Sequence, residues 1–173
     1  MPPGLLRRSI IAILSALLLS GCATALHSKP GTTTTVLPIR HADRDDDGHL
    51  THRGHARARA LVNVVAGMGV QEIYSPNGER NLDNVKPLAD RIGVDITLTP
   101  KISLPKVGEM CREIQTVHAR KVVLWVGTVS GNLQTIYRRL GGKETGRIEY
   151  GQLFILTVPE KGATRVEKLS FGI

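Results

Sequence analysis

Apolar residues recur along this chain with two alternating spacings. Short runs rich in β-branched and apolar residues predict strands, and apolar positions three or four residues apart predict amphipathic helices between them. Strand and helix alternate, which favours an α/β fold with a mostly parallel central sheet and helices on both faces. The predicted strands are residues 34–39, 72–74, 95–99, 121–127 and 153–159, with a further candidate at 164–169.

Four apolar stripes predict the helices of this fold. In the first stripe Arg53, Arg57 and Arg59 lie off the apolar face. In the second, Pro87 predicts either a kink or the true first turn of the helix. Sheets of this kind place their sites at the carboxyl ends of the strands. The predicted helices lie within residues 50–69, 80–93, 107–118 and 131–142.

The amino-terminal segment has the pattern of an export signal. Arg7 and Arg8 precede an apolar run over residues 9–19, which ends in Leu-Ser-Gly-Cys. The run has about a dozen residues where a bilayer span needs about 20, so a cleaved signal is predicted and not an anchor helix. The ending resembles a bacterial lipobox, in which Cys22 is acylated.

This interpretation divides the chain into three parts. Residues 1–21 are predicted to be a lipoprotein signal peptide, residues 22–33 a tether, and residues 34–173 a single domain. The protein is then exported and held to the membrane by lipid, with Ala23 favouring the periplasmic face of the outer membrane. Acylation of Cys22 leaves Cys111 as the remaining thiol, so no internal disulfide is expected.

Charge and composition restrict the partners. Lysine and arginine number 23 against 15 aspartate and glutamate residues, giving a formal net charge of +8, which favours anionic ligands. Aromatic residues make up only 3% of the chain, which disfavours a base-stacking surface. The predicted export from the cytoplasm also argues against nucleic acid, so no nucleic-acid partner is predicted.

The segment "VLPIRHADRDDDGHLTHRG" suggests three kinds of site, and the first is calcium. Asp43, Asp45, Asp47 and Gly48 match the first, third, fifth and sixth positions of an EF-hand loop. The twelfth position, which needs a bidentate glutamate, is Gly54. A β-branched segment also stands where the entering helix should be, so the pattern disfavours a calcium site.

A transition-metal site is the second alternative. His41, Asp43, His49, His52 and His55 could supply ligands, but no pair has helical i, i+4 spacing with an assigned third ligand. His52 and His55 are expected on the solvent face of the following helix. Neither a metal nor another cofactor is therefore predicted.

The third alternative places an arginine and a histidine at the edge of the sheet. The first predicted strand ends at Ile39, and Arg40 and His41 follow directly. The blocks "IRHAD", "LTHRGHARARAL" and "IYSPNGERNLDNVKPLADRIG", in this order, resemble the histidine phosphatase superfamily, which has a phosphoglycerate-mutase-like fold. The resemblance extends over about residues 34–140 and implies this fold without a cap insertion.

The resemblance also implies a chemistry. His41 would be the nucleophile and form a phosphohistidine that water then hydrolyses, while Arg40 and Arg80 would hold the phosphate. Arginine suits this task because its planar guanidinium makes paired bonds to phosphate and keeps its charge. One extra residue before Arg80 is expected to be absorbed by a turn at Asn77 and Gly78.

One residue departs from the family's pattern. Thr128 stands where the family has a second catalytic histidine after the fourth strand, and losing one such donor costs about 10²- to 10³-fold in turnover. Ser130 and Asn132, at the start of the next helix, could compensate in binding phosphate. Glu109 is the candidate general acid.

Two functions remain open on this sequence. The first is a phosphohydrolase acting on a phosphomonoester or phosphoprotein, slowed by Thr128. The second is a non-catalytic, lipid-anchored protein that binds phosphate or another anion with the same fold. The identity of the substrate is not encoded in any motif, because insertions that set specificity are nearly absent.

Overall fold

The computed structural model describes residues 25–99, 104–128, 132–143 and 147–172. Residues 1–21, predicted to be a signal peptide, and Cys22, the predicted lipid site, lie outside these ranges, as does Ser130. The six strands are β1 (Thr33–Arg40), β2 (Val70–Pro76), β3 (Ile96–Thr99), β4 (Val122–Gly127), β5 (Gln152–Pro159) and β6 (Arg165–Ser170). The helices are α1 (His52–Val65), α2 (Glu79–Ile92), α3 (Leu104–Thr116) and α4 (Leu133–Arg139).

The strands form one sheet in the order β3-β2-β4-β1-β5-β6. The first four strands of this order are parallel, and β5 and β6 continue the sheet in antiparallel pairing. The predicted α/β architecture with a mostly parallel sheet is confirmed. Pro38 lies within the inner strand β1, in register with Trp125 of β4. Pro87 lies in the interior of α2 and not in its first turn.

Apolar side chains from both faces of the sheet make two separate clusters. On one face Trp125, wholly buried, packs with residues of α3 and α4. On the other face Leu37 and Ile39 pack with residues of α1 and α2. The chain from residue 25 onward therefore contains a complete core and is expected to fold without the preceding residues. No helix in the described ranges is both long enough and apolar enough to cross a membrane.

Arg57 is buried although it lies off the apolar stripe of α1. Its side chain is only 9% exposed. Its Nε donates to Asp43 Oδ2 at 2.6 Å and one terminal nitrogen donates to the carbonyl of Phe171 at 3.1 Å. The ion pair and this hydrogen bond offset the cost of burying a guanidinium. They tie α1 to the loop after β1 and to the carboxyl-terminal end of the described chain.

The segment predicted as a tether, residues 22–33, is docked over much of its described part. The backbone N–H of Leu26 donates to Arg139 O, that of Ser28 to Pro159 O and that of Lys29 to Gln115 O. Ser28 is 4% exposed, and its hydroxyl lies 2.7 Å from Val158 O. These bonds satisfy carbonyls at the ends of α3, α4 and β5, which explains why a polar segment packs against the domain.

Candidate active site

His41 lies at the carboxyl edge of the sheet. It follows the last residue of β1, and its backbone N–H donates to the carbonyl of Gly127, the last residue of β4, at 3.1 Å. The residue is only 4% exposed. An imidazole is therefore held between the ends of two central parallel strands, where open α/β sheets place their ligands.

One hydrogen bond fixes the tautomer of this imidazole. Nδ1 of His41 lies 2.8 Å from the carbonyl oxygen of Ala42. Because a carbonyl only accepts, Nδ1 carries the proton and the lone pair is left on Nε2. Nε2 is thus the ring nitrogen whose lone pair is available to act as a nucleophile.

The surroundings of His41 keep it neutral. Burial lowers the pKa of His41 from 6.5 to about 4, although the hydrogen bond to Ala42 opposes this shift. The positive charges of Arg80, Arg40 and Arg44 lower the pKa further. A neutral, buried imidazole beside guanidinium groups is the arrangement that nucleophilic attack on an anionic phosphate requires.

Arg40 is held by two residues of the loop before β5. Its guanidinium carbon lies 3.7 Å from the centroid of the Tyr150 ring, and its Nη1 lies 3.5 Å from Glu149 Oε2. The Tyr150 ring also lies beside His41, with ring centroids 5.7 Å apart. Within the described part of the chain, the buried Nε of Arg40 has no hydrogen-bond partner. A buried donor of this kind is costly unless a ligand accepts from it.

Arg80 is the second residue of α2. The predicted turn precedes it: Gly78 donates its N–H to Pro76 O at 2.8 Å, and α2 then begins at Glu79. The buried Nε of Arg80 also lacks a partner among the described residues. A Cβ atom on Gly48 would lie 3.4 Å from Nη1 of Arg80, so the loop before α1 lies against this guanidinium.

That loop is held by protein contacts at the positions considered for calcium. The carboxylate of Asp43 pairs with Arg57 and, at 3.6 Å, with Arg53. Asp45 accepts the N–H groups of Gly48 and His49 at 2.8 and 2.9 Å. Among the described residues no group of three or more His, Cys, Asp or Glu side chains is arranged to hold a metal.

The Leu-Thr-x-x-Gly block positions α1 against the same loop. Thr51 caps α1 by accepting the N–H of Gly54 at 3.1 Å, and its own N–H donates to Asp43 O at 3.0 Å. A Cβ atom on Gly54 would overlap this same carbonyl oxygen. Glycine is therefore needed for the helix to approach the loop that follows His41. His52 and His55, beside this block, are exposed as predicted.

Thr128 directly follows Gly127, which pairs in register with Arg40, so it lies at the same sheet edge as His41. Asn132 precedes α4, and its Oδ1 lies 3.1 Å from where a Cβ on Gly127 would be. The chain near Thr128 offers no imidazole in its place. His118, which precedes β4, is instead 2.7 Å from the hydroxyl of Tyr74.

Glu109 is not brought to this site. It lines a separate cavity of about 270 Å³ with Tyr74, Thr99 and Glu113, and no described contact joins it to His41 or the two arginines. Among the described carboxylates, Glu149 is paired with a residue of the site, Arg40. Glu149 and Tyr150 belong to no motif and are more than a hundred positions from Arg40 in sequence. The scarcity of aromatic residues was the one signal that could have singled out Tyr150.

A known family matches this part of the chain. The family model described as the histidine phosphatase superfamily, branch 1, matches residues 31–129, which is more than half of the chain. The matched range begins just before β1 and ends just after Thr128. It includes His41, Arg40 and Arg80.

Solved structures show the same fold at low sequence identity. The protein histidine phosphatase SixA complexed with tungstate is 14% identical, with a TM-score of 0.62 over 80% of this chain and 97% of its own. A mycobacterial glucosyl-3-phosphoglycerate phosphatase is 14% identical, with a TM-score of 0.56 over 82% and 98%. Phosphoglycerate mutase from Plasmodium falciparum is 12% identical, with a TM-score of 0.51 over 80% and 91%.

Proposed function

The chain belongs to the histidine phosphatase superfamily, and on this premise we propose that it is a phosphohydrolase that acts on a phosphomonoester or phosphoprotein through a phosphohistidine at His41. The observation that carries the proposal is the neutral, buried imidazole of His41. Among the described residues its Nε2 has no hydrogen-bond partner, and neither have the buried Nε donors of the nearby Arg40 and Arg80.

The catalytic cycle follows from these groups. Nε2 attacks phosphorus, the bond to the leaving group breaks, and Arg40 and Arg80 bind the charged oxygens of the transferred phosphoryl group. Nδ1 keeps its proton and its bond to Ala42, so the phosphorylated ring carries a positive charge and becomes a good leaving group. Water then attacks the phosphohistidine and releases inorganic phosphate.

The site favours substrates that need no protonated acid at the leaving group. Glu149 beside Arg40 accepts a hydrogen bond from that guanidinium, and the candidate acid Glu109 lines a separate cavity, so neither of these carboxylates is placed to protonate a leaving group. We therefore expect aryl phosphates and phosphoramidates, including phosphohistidine, to react faster than alkyl phosphates. The solved SixA structure is of a protein histidine phosphatase, which agrees with this preference.

Thr128 supports a second candidate, a protein that binds phosphate without efficient turnover. A hydroxyl supplies one neutral donor where the family has an imidazole, so stabilisation of the transition state is reduced more than binding of the ground state. Arg40, Arg80 and Nε2 of His41 would still form a phosphate-binding site.

A phosphate-release assay separates these functions. It compares the chain from Ala23 onward with His41→Ala and Thr128→His, using an aryl phosphate and a phosphoramidate. We expect slow release that His41→Ala abolishes and Thr128→His raises by about tenfold or more. No release from any protein, together with phosphate binding that depends on Arg40, would favour the binding function. Equal release from all three would refute both.

We also propose that the protein is an exported lipoprotein anchored through Cys22, as the Leu-Ser-Gly-Cys sequence indicates. The docked segment from Leu26 to Lys29 lies at the edge where β1 begins, opposite the edge that holds His41. An anchor there would leave the site facing away from the bilayer, accessible to soluble substrates. Fractionation of cells expressing Cys22→Ala tests this: the variant should leave the membrane fraction, and retention there would refute the anchor.

A further inference from the structure

A second cavity, of about 420 Å³, lies between the end of α4 and the strands β5 and β6. Its volume is in the range of small-molecule sites. The described residues that line it are apolar or aromatic (Tyr137, Ile148, Phe154, Val166), basic (Lys143, Arg147, Lys168) or small and polar (Gly141, Gln152, Thr164), and none is acidic.

The apolar and basic groups are arranged together. Phe154 packs edge to face on Tyr137, with ring centroids 5.0 Å apart. Lys168 lies directly across the strand pair from Phe154, and its ammonium is 5.7 Å from the centre of that ring. Aromatic side chains with an ammonium group close by suit a ligand that has both an apolar part and a negative charge.

The first described residue of the chain, Ala25, lies beside this cavity. A Cβ atom on Gly141, which lines the cavity, would be 3.7 Å from the Cβ of Ala25. Cys22 is three residues before Ala25, and three residues extend over at most roughly 10 Å. A lipid on Cys22 would therefore hold the Gly141 end of the cavity close to the membrane surface.

We propose that this cavity binds one anionic phospholipid of the membrane to which the chain is anchored, with its phosphate at Lys143, Arg147 and Lys168 and an acyl chain on Phe154 and Val166. The orientation rests on the proposed anchor at Cys22, whereas the binding site itself does not. A lipid held there would fix the domain on the membrane at two points, the covalent anchor and the cavity.

The test uses the chain from Ala23 onward, so it does not depend on lipidation. The probes are the soluble short-chain lipids dihexanoylphosphatidylglycerol and dihexanoylphosphatidylcholine, with inorganic phosphate as a third. Amide NMR titration reports the residues affected and the affinity. Lys168→Glu and Lys143→Glu change the cavity, and Lys86→Glu, on the exposed face of α2, is the control with the same change of charge.

We expect phosphatidylglycerol to shift the amides of Gly141, Phe154 and Val166 and to bind at least about tenfold more tightly than phosphatidylcholine. Each cavity variant should weaken this binding by about fivefold or more, and Lys86→Glu by less than about twofold. Equal affinity for both lipids, equal effects of Lys168→Glu and Lys86→Glu, or phosphate binding as tight as the lipid would each overturn the proposal. So would the absence of shifts at these residues.

Discussion

Glu149 forms an ion pair with Arg40 at the candidate site, with Oε2 of Glu149 3.5 Å from Nη1 of Arg40. The side chain of Arg40 is 10% exposed and that of Glu149 is 55% exposed, so the pair joins a largely buried arginine to a more exposed glutamate. An incoming phosphate needs the same guanidinium. On the proposed function the carboxylate would therefore compete with substrate for Arg40, whose guanidinium carbon lies 3.7 Å from the centroid of the Tyr150 ring.

Glu149→Gln is expected to tighten oxyanion binding. Exposed ion pairs contribute about 0.2–1 kcal/mol, so removing the competing charge should lower the Kd of tungstate by up to about fivefold. Isothermal titration calorimetry measures this Kd. The matched control is Glu167→Gln on β6, which removes the same charge from an exposed side chain that pairs with Arg165 and should leave the Kd unchanged. Weaker binding by Glu149→Gln would show that the carboxylate supports the phosphate site.

His41 is expected to stay neutral well into the acidic range. Burial places its pKa at about 4, so its ring resonances should remain constant from pH 8 to pH 5 and move only below that. NMR titration of the ring in the folded protein checks this, with the urea-unfolded chain as the reference at about 6.5. A folded-state midpoint near 6.5 would contradict the buried environment described for His41.

The same shift predicts how stability depends on pH. Between pH 6.5 and about 4 the unfolded chain binds a proton at His41 that the folded chain does not. The contribution of His41 to the free energy of unfolding should therefore fall as pH is lowered through this window and level off below the folded pKa. Urea unfolding of wild type and His41→Asn at several pH values isolates this contribution. A difference in free energy of unfolding between the two proteins that stays constant from pH 6.5 to about 4 would refute the prediction.

Arg57→Met is expected to destabilise the fold by roughly 3 kcal/mol, because it leaves the partly buried carboxylate of Asp43 without its closest cation and Phe171 O without its donor. Urea unfolding measures the loss as a lower midpoint at an unchanged m-value. Arg59→Met, on the exposed face of α1, is the control and should change stability by less than about 0.5 kcal/mol. Similar losses in the two variants would mean that the buried pair adds little.

Much of the fold could be predicted because its signals are local. The strands around Leu37 and Leu124 are apolar runs buried on both faces of the sheet, and α2 has an apolar stripe that ends where Gly93 adopts a left-handed conformation. Arg40 and His41 were identifiable because they lie where the first predicted strand ends, in a block that resembles the family's pattern. Their convergence with Arg80 follows from β1 and β2 ending at the same edge.

The remaining features depend on contacts between distant residues. Periodicity places Arg57 off the apolar stripe, and only the folded positions of Asp43 and Phe171 show why it is buried. The role of Glu149 depends on a loop that folds back to Arg40, which no local pattern encodes. The residues before β1 have the composition of a free linker. In the folded chain, however, the backbone N–H groups of Leu26 and Ser28 donate to carbonyls at the ends of α4 and β5, which are distant in sequence.

Phosphorylation of the protein by phosphoramidate, followed by an alkaline quench, tests the central claim most directly. Mass spectrometry locates the phosphate, and phosphorus NMR distinguishes the two ring nitrogens. We expect the label on Nε2 of His41, because Nδ1 is protonated and bonded to Ala42 O. It should be lost in His41→Asn and should decay faster in Thr128→His than in wild type. A label on Nδ1, or none on His41, would contradict the account of His41 as the nucleophile.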